Sequence, residues 1–214
     1  MAYDAITIDT STFVQSGIAL ETGLLAQLEQ FKHGPVDLIL SEIVTRELLK
    51  HLNVMTRKGR DQALSALTRL EQLQLVPEAD RPQLRALGPA ILDSREAARS
   101  RVARFAEATG AKNVAASLCS VDDVLKLYFA TGAPFEPSGD KKSEFPDAMA
   151  LLSLQKWAAT SGKRILAVSG DKGWADFAAS SEQIDVQPDL PKALEILQNH
   201  AGTAEARVAA LMAA

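Results

Sequence analysis

Two kinds of hydrophobic spacing alternate along the chain. The runs Ala5-Ile6-Thr7-Ile8, Val36-Asp37-Leu38-Ile39-Leu40 and Arg164-Ile165-Leu166-Ala167-Val168-Ser169 have the length and β-branched content of buried strands. A short last strand is expected over Glu182 to Val186. Elsewhere apolar residues recur at three- and four-residue spacing. Leu24, Leu25 and Leu28 predict a helix from Leu20 to Phe31, broken by Gly34-Pro35. Val44, Leu48 and Leu52 share one face of a helix that Ser41 can cap and that should run to about His51. From Thr56 to about Pro134 the pattern is helical, with Leu64, Leu67, Leu70 and Leu73 in one segment. Further helices are expected from Ile91 to Ala108 and, capped by Ser120, from Val121 to Thr131. Thr56-Arg57-Lys58-Gly59-Arg60 reads as a basic turn. This block is an all-helical insertion, at about residues 56–135, packed on an α/β part within one domain spanning 1–214. Closing helices are expected over Pro188 to Gln198 and Glu205 to Met212.

The chain is organised around Lys141-Lys142-Ser143-Glu144-Phe145-Pro146-Asp147-Ala148-Met149-Ala150-Leu151-Leu152, a polar loop that turns into a helix. Pro146 suits a first helical position, where its missing N–H has no partner to lose. Asp147 then falls in the first turn, at the positive end of the helix. Asp147, Leu151, Leu154 and Ala158 lie along one face by their i, i+4, i+7, i+11 spacing. A carboxylate at the end of a buried stripe is poorly placed for a merely solvated charge. Gly162 stops the helix.

Composition narrows the class. Of 214 residues, 47% are apolar and 23% charged, enough for a sizeable core and against global disorder. The formal net charge of −4 excludes a uniformly basic coat for nucleic acid, but not a local basic cluster or a bound cation. Arg95, Arg99, Arg101 and Arg104 form the best basic run, with Glu96 and Glu107 nearby as partners for a solvated face. The single cysteine, Cys119, fits a reducing cytoplasm. His33, His51 and His200 are far apart and no zinc spacing occurs. No signal peptide and no membrane-length apolar run is visible, so membrane partners are not expected.

Four acids share matching contexts. Asp9 and Asp171 follow strands, Asp147 opens one helix, and Glu47 sits early in another. Parallel strands would bring all four to one edge of the sheet, where ligands bind in open α/β folds. Carboxylates held together repel, and a divalent cation relieves this. Oxygen ligands without Cys or His favour Mg²⁺ or Mn²⁺. The chemistry that follows is hydrolysis of a phosphodiester by a metal-activated water. No nucleophile elbow, Walker A or dinucleotide fingerprint is present. A metal-dependent phosphatase that starts from a strand-end Asp would need a second Asp two residues later, and position 11 is Ser.

Ile-Asp-Thr-Ser near the N-terminus, the Ser-Glu-Ile-Val-Thr-Arg-Glu-Leu-Leu helix, the Phe-Pro-Asp-Ala helix start and the Val-Ser-Gly-Asp strand end together resemble a PIN domain, in the longer PIN-like group with a helical insertion. The similarity covers about residues 5–53 and 140–178. The resemblance implies a flavodoxin-like three-layer α/β/α sandwich with a central parallel sheet. It implies a Mg²⁺- or Mn²⁺-dependent nuclease, most often an endoribonuclease and often the toxin of a toxin–antitoxin pair. Carried over by motif, Asp9, Glu47, Asp147 and Asp171 are the metal-binding and catalytic acids. Glu144 is an auxiliary ligand, Asp176 an alternative to Asp171, and Thr10 and Ser169 match small polar positions. The partners it points to are RNA before DNA, an antitoxin protein, and a second copy of the chain. The insertion is far longer than in compact toxins. A non-catalytic module that binds RNA or protein is the other reading.

Overall fold

The computed structural model describes residues 3–135 and 143–199. Lys141 and Lys142 of the organising stretch, and the closing stretch from Glu205 to Met212, lie outside the described residues. Among the described residues, five strands form one parallel sheet: β1 Ala5–Ile8, β2 Asp37–Ser41, β3 Lys112–Val114, β4 Ile165–Val168 and β5 Ile184–Gln187, in the order β3-β2-β1-β4-β5. β1 is central and fully in register with β4, from Ala5 opposite Ile165 to Ile8 opposite Val168. All strands are parallel, so their carboxyl ends share one edge. The order reverses at β1, because β2 and β3 lie on one side and β4 and β5 on the other. The gap between β1 and β4 is therefore the switch point where open α/β sheets take ligands.

The strands read as continuous apolar runs because both faces are covered. Ala5, Ile39, Val114, Ile165, Ala167 and Ile184 on one face pack in one core with Ala150, Leu151, Leu154 and Ala158. Those four residues come from α7 Phe145–Ser161, and Leu151, Leu154 and Ala158 among them are the apolar positions of its expected stripe. The alternate positions Ile6, Ile8, Leu38, Leu40, Leu166 and Val168 are also buried. This is an α/β sandwich.

Residues Met1–Arg46 with Phe105–Ala214 form one compact unit, and Glu47–Arg104 form a second. The first carries the sheet and, with α7, α1 Thr10–Gln15, α2 Gly23–Ala26, α6 Val121–Ala130 and α8 Lys172–Ala179. A further helical stretch covers 190–199. In the second unit α4 Arg81–Ala90 is tied to the helix Glu42–Gln72 (α3) by an Arg85–Glu71 ion pair. There Ser94 Oγ also donates to Asn53 Oδ1 at 3.0 Å, and Thr56 Oγ1 to the Ser94 carbonyl at 2.9 Å.

Several boundaries differ from the sequence reading. α3 runs from Glu42 to Gln72 without a break, so the expected end near His51 and the basic turn at 56–60 do not exist. No proline falls between Pro35 and Pro77. Gly59 costs only about 1 kcal/mol inside a helix and strong helix formers flank it. The Leu20–Phe31 segment is split into α2 and a 3₁₀ helix, Gln27–His33, with Gly23 at φ 64° before the split. β3 lies within the stretch read as all-helical. It has three residues, pairs only with β2, and buries only Val114, so no period could reveal it. Its Lys112 binds Asp37 at 2.6 Å, a charged guard on an edge strand. α5 spans Ser94–Thr109, and Ser120 caps α6 as expected by accepting the Asp123 N–H at 3.1 Å.

Candidate active site

The β1–β4 ladder extends one step past the strands, because the Asp9 N–H donates to the Val168 carbonyl at 2.9 Å. Thr12 Oγ1 donates to the same carbonyl at 3.2 Å and ties α1 to the end of β4. Asp9 is thereby fixed at the switch point, with only 4% of its surface exposed. A buried carboxylate needs donors. Ser169 Oγ donates to Asp9 Oδ2 at 3.0 Å, and Ser11 Oγ donates to the same oxygen. Burial pushes the Asp9 carboxyl above the usual range. Bonds from Ser11, Ser169 and the Thr10 N–H pull it back in part, and the neighbouring Asp171 charge pushes it further up.

Asp171 stands at the start of α8. Its Oδ1 accepts the Trp174 backbone N–H at 3.2 Å, and its own N–H donates to Ser169 Oγ at 3.1 Å. The Ser169 hydroxyl therefore links the two strand-end acids, giving to one and receiving from the other. Gly173 is needed here for space, since a Cβ would lie 2.8 Å from Pro134 Cβ and 3.0 Å from Asp171 Oδ1.

Asp147 lies in the first turn of α7, as the sequence places it, half-buried. Its Oδ1 accepts the indole N–H of Trp174 at 2.9 Å. The three acids are thus joined in a chain, Asp9 to Ser169 to Asp171 to Trp174 to Asp147. The sequence reading gave Trp174 no role. Its signal was its place three residues after a strand-end acid, where a backbone N–H reaches back to the cap.

Thr10 is buried at the start of α1. Glu47 is half-buried on α3, as the first residue of the second unit. Glu144 is the residue that precedes α7. Asp176 pairs with Lys172 at 2.5 Å across one turn of α8. Arg95, Arg99 and Arg104 are exposed on α5 and Arg101 is half-buried, while Arg104 Nη1 donates to Ser100 Oγ at 2.8 Å.

The donor chemistry fits a hard divalent cation. Asp9 and Asp171 offer only oxygen; burial is the main cause of the raised Asp9 carboxyl and the Asp171 charge a lesser one, and a cation would offset both. In number the fit is to an open site. Among the described residues no group of three or more His, Cys, Asp or Glu side chains is gathered to hold an ion. Mg²⁺ commonly uses one or two carboxylates and completes its shell with waters and substrate phosphates, which suits this pair. Among the described residues no helix is long and apolar enough to cross a membrane.

The family model described as PIN domain matches residues 6–174, most of the chain and all of the acids above except Asp176. No curated protein and no solved structure matches the chain.

Proposed function

Because the chain belongs to the PIN domain family, whose members are generally nucleases that use Mg²⁺ or Mn²⁺, we propose that it is a metal-dependent nuclease hydrolysing phosphodiester bonds, acting on RNA as an endonuclease. One observation supports this reading most. A nearly fully buried Asp9 is wired through Ser169 to Asp171 at the sheet's switch point. Burying a carboxylate beside another is costly, and a purely structural role would be served better by an amide.

Asp9 and Asp171 would hold the ion, and Asp147 is the acid from α7 that completes the set. When bound, Mg²⁺ or Mn²⁺ supplies an activated water and neutralises charge on the phosphate oxygens. Ser11 and Ser169 hold Asp9 Oδ2 in a fixed orientation. The Trp174 backbone N–H does the same for Asp171. The exposed arginines of α5 are proposed as a contact to the phosphate backbone. The same family reading carries an antitoxin protein and a second copy of the chain as partners.

The second reading is a non-catalytic module that binds RNA or protein. The lack of a three-acid group among the described residues favours it. Cleavage of pooled structured and single-stranded RNA and matched DNA, with Mn²⁺, with EDTA and with Asp147→Asn protein, separates the two. The nuclease reading expects metal-dependent cutting that the variant loses. Binding with no cutting of either polymer would establish the module instead.

A further inference from the structure

The geometry points to Trp174 as a positioning residue for the metal-binding acids, setting Asp147 against Asp171; this rests on the nuclease reading above. One residue touches both acids. Its backbone N–H meets Asp171 Oδ1 at 3.2 Å and its indole N–H meets Asp147 Oδ1 at 2.9 Å. The two bonds come from opposite ends of the residue, so the spacing between the acids is tied to the length of a tryptophan side chain.

That side chain cannot swing. Trp174 is fully buried, in the core formed with Leu151, Leu154 and Phe177. Leu151 and Leu154 belong to α7, the helix that carries Asp147. The same packing therefore fixes the indole and the helix to which it bonds. Indole is a donor only, so it orients a carboxylate without competing for a cation. A carboxylate has about four acceptor directions, and one N–H uses one of them. Partners of this kind behind a metal ligand set its orientation and basicity. Phenylalanine would fill the core almost as well, so burial alone does not call for an N–H at this position.

The test uses Mn²⁺ affinity, read from the electron paramagnetic resonance of free ion, in the native protein, Trp174→Phe, Asp147→Asn and the double variant. Trp174→Phe should weaken Mn²⁺ binding by roughly 10–100-fold. In the Asp147→Asn background the same change should add little, because the indole acts through that carboxylate. Unchanged Mn²⁺ affinity in Trp174→Phe, or an equal loss with and without Asp147, overturns the assignment. A native protein that binds no Mn²⁺ at millimolar concentration overturns the metal reading and this inference with it. A second readout needs no variant of the site. The chain has two tryptophans, Trp157 and Trp174, hence two indole ¹H–¹⁵N resonances. Mg²⁺ should move that of Trp174 and leave that of Trp157. A stationary Trp174 resonance at saturating Mg²⁺ refutes the assignment, even if Trp174→Phe fails to fold.

Discussion

Asp9→Asn should make the metal-free protein more stable at neutral pH, although it removes an acid from the candidate active site. Both hydroxyl donors, Ser11 and Ser169, bond to the same oxygen, Oδ2. An asparagine that places its carbonyl there keeps both bonds. It loses the charge assistance of these bonds and of the Thr10 N–H bond, about 1 kcal/mol each. Against this stands the cost of burying an ionised carboxylate, several kcal/mol after relaxation. The raised carboxyl says that burial exceeds the bonds. A net gain of about 1 kcal/mol is expected, or about 2–4 °C in Tm for a chain of this size. The sign with pH follows from the same shift. Folded Asp9 binds its proton more tightly than unfolded Asp9. The stability tied to that proton is fully present below the unfolded value, near 3.9, and is lost as pH rises through the raised folded value. Thermal melts in EDTA from about pH 4 to pH 8 should therefore show the variant and wild type converging in acid and separating at neutral pH. Mg²⁺ should then reverse the order. At tenfold above Kd it adds about 1.4 kcal/mol to the wild type, and less to the variant. A variant that melts below wild type at pH 7 in EDTA, or a gap that does not change with pH, would refute the reasoning.

Asp147→Asn keeps an acceptor for the Trp174 indole, so it should melt close to wild type while cleavage falls by roughly 10²-fold or more; unchanged cleavage removes Asp147 from the site. Ser169→Ala removes a buried bond to a carboxylate, about 2 kcal/mol, and should lower Tm by about 4–8 °C; an unaltered melt would show the Asp9–Ser169–Asp171 link to be without energetic weight. Arg95→Gln with Arg99→Gln removes two exposed charges and should weaken RNA binding and flatten its dependence on salt; an unchanged salt slope returns that face of α5 to solvent.

What could be read in the sequence was whatever has a period or a cap. The strands that carry Asp9 and Asp171 were legible because full burial makes them continuous apolar runs. The α7 stripe and its Gly162 stop were legible because a packed helix repeats its apolar positions. β3 was not, since three residues with one buried side chain carry no period. The length of α3 was not either, because Gly59 weighs more heavily in a local reading than in a helix of thirty-one residues.

The site divides along the same line. Context placed Asp9, Asp147 and Asp171 correctly at strand ends and a helix start, since the fold puts those positions at one sheet edge. Context could not say how they are held. That depends on which donor packs beside each acid, and a core tryptophan looks the same in sequence whether or not its N–H has work to do. Trp174 enters as bulk for the core between α7 and the sheet. Its N–H becomes a second requirement only once α7 places Asp147 within 2.9 Å. Core and site are therefore not separate selections at this position. A change that preserved the packing and removed the N–H would leave the fold standing and loosen the acid that the proposed chemistry needs fixed. Conversely, a change in Leu151 or Leu154 that shifted α7 would act on the site without touching an acid.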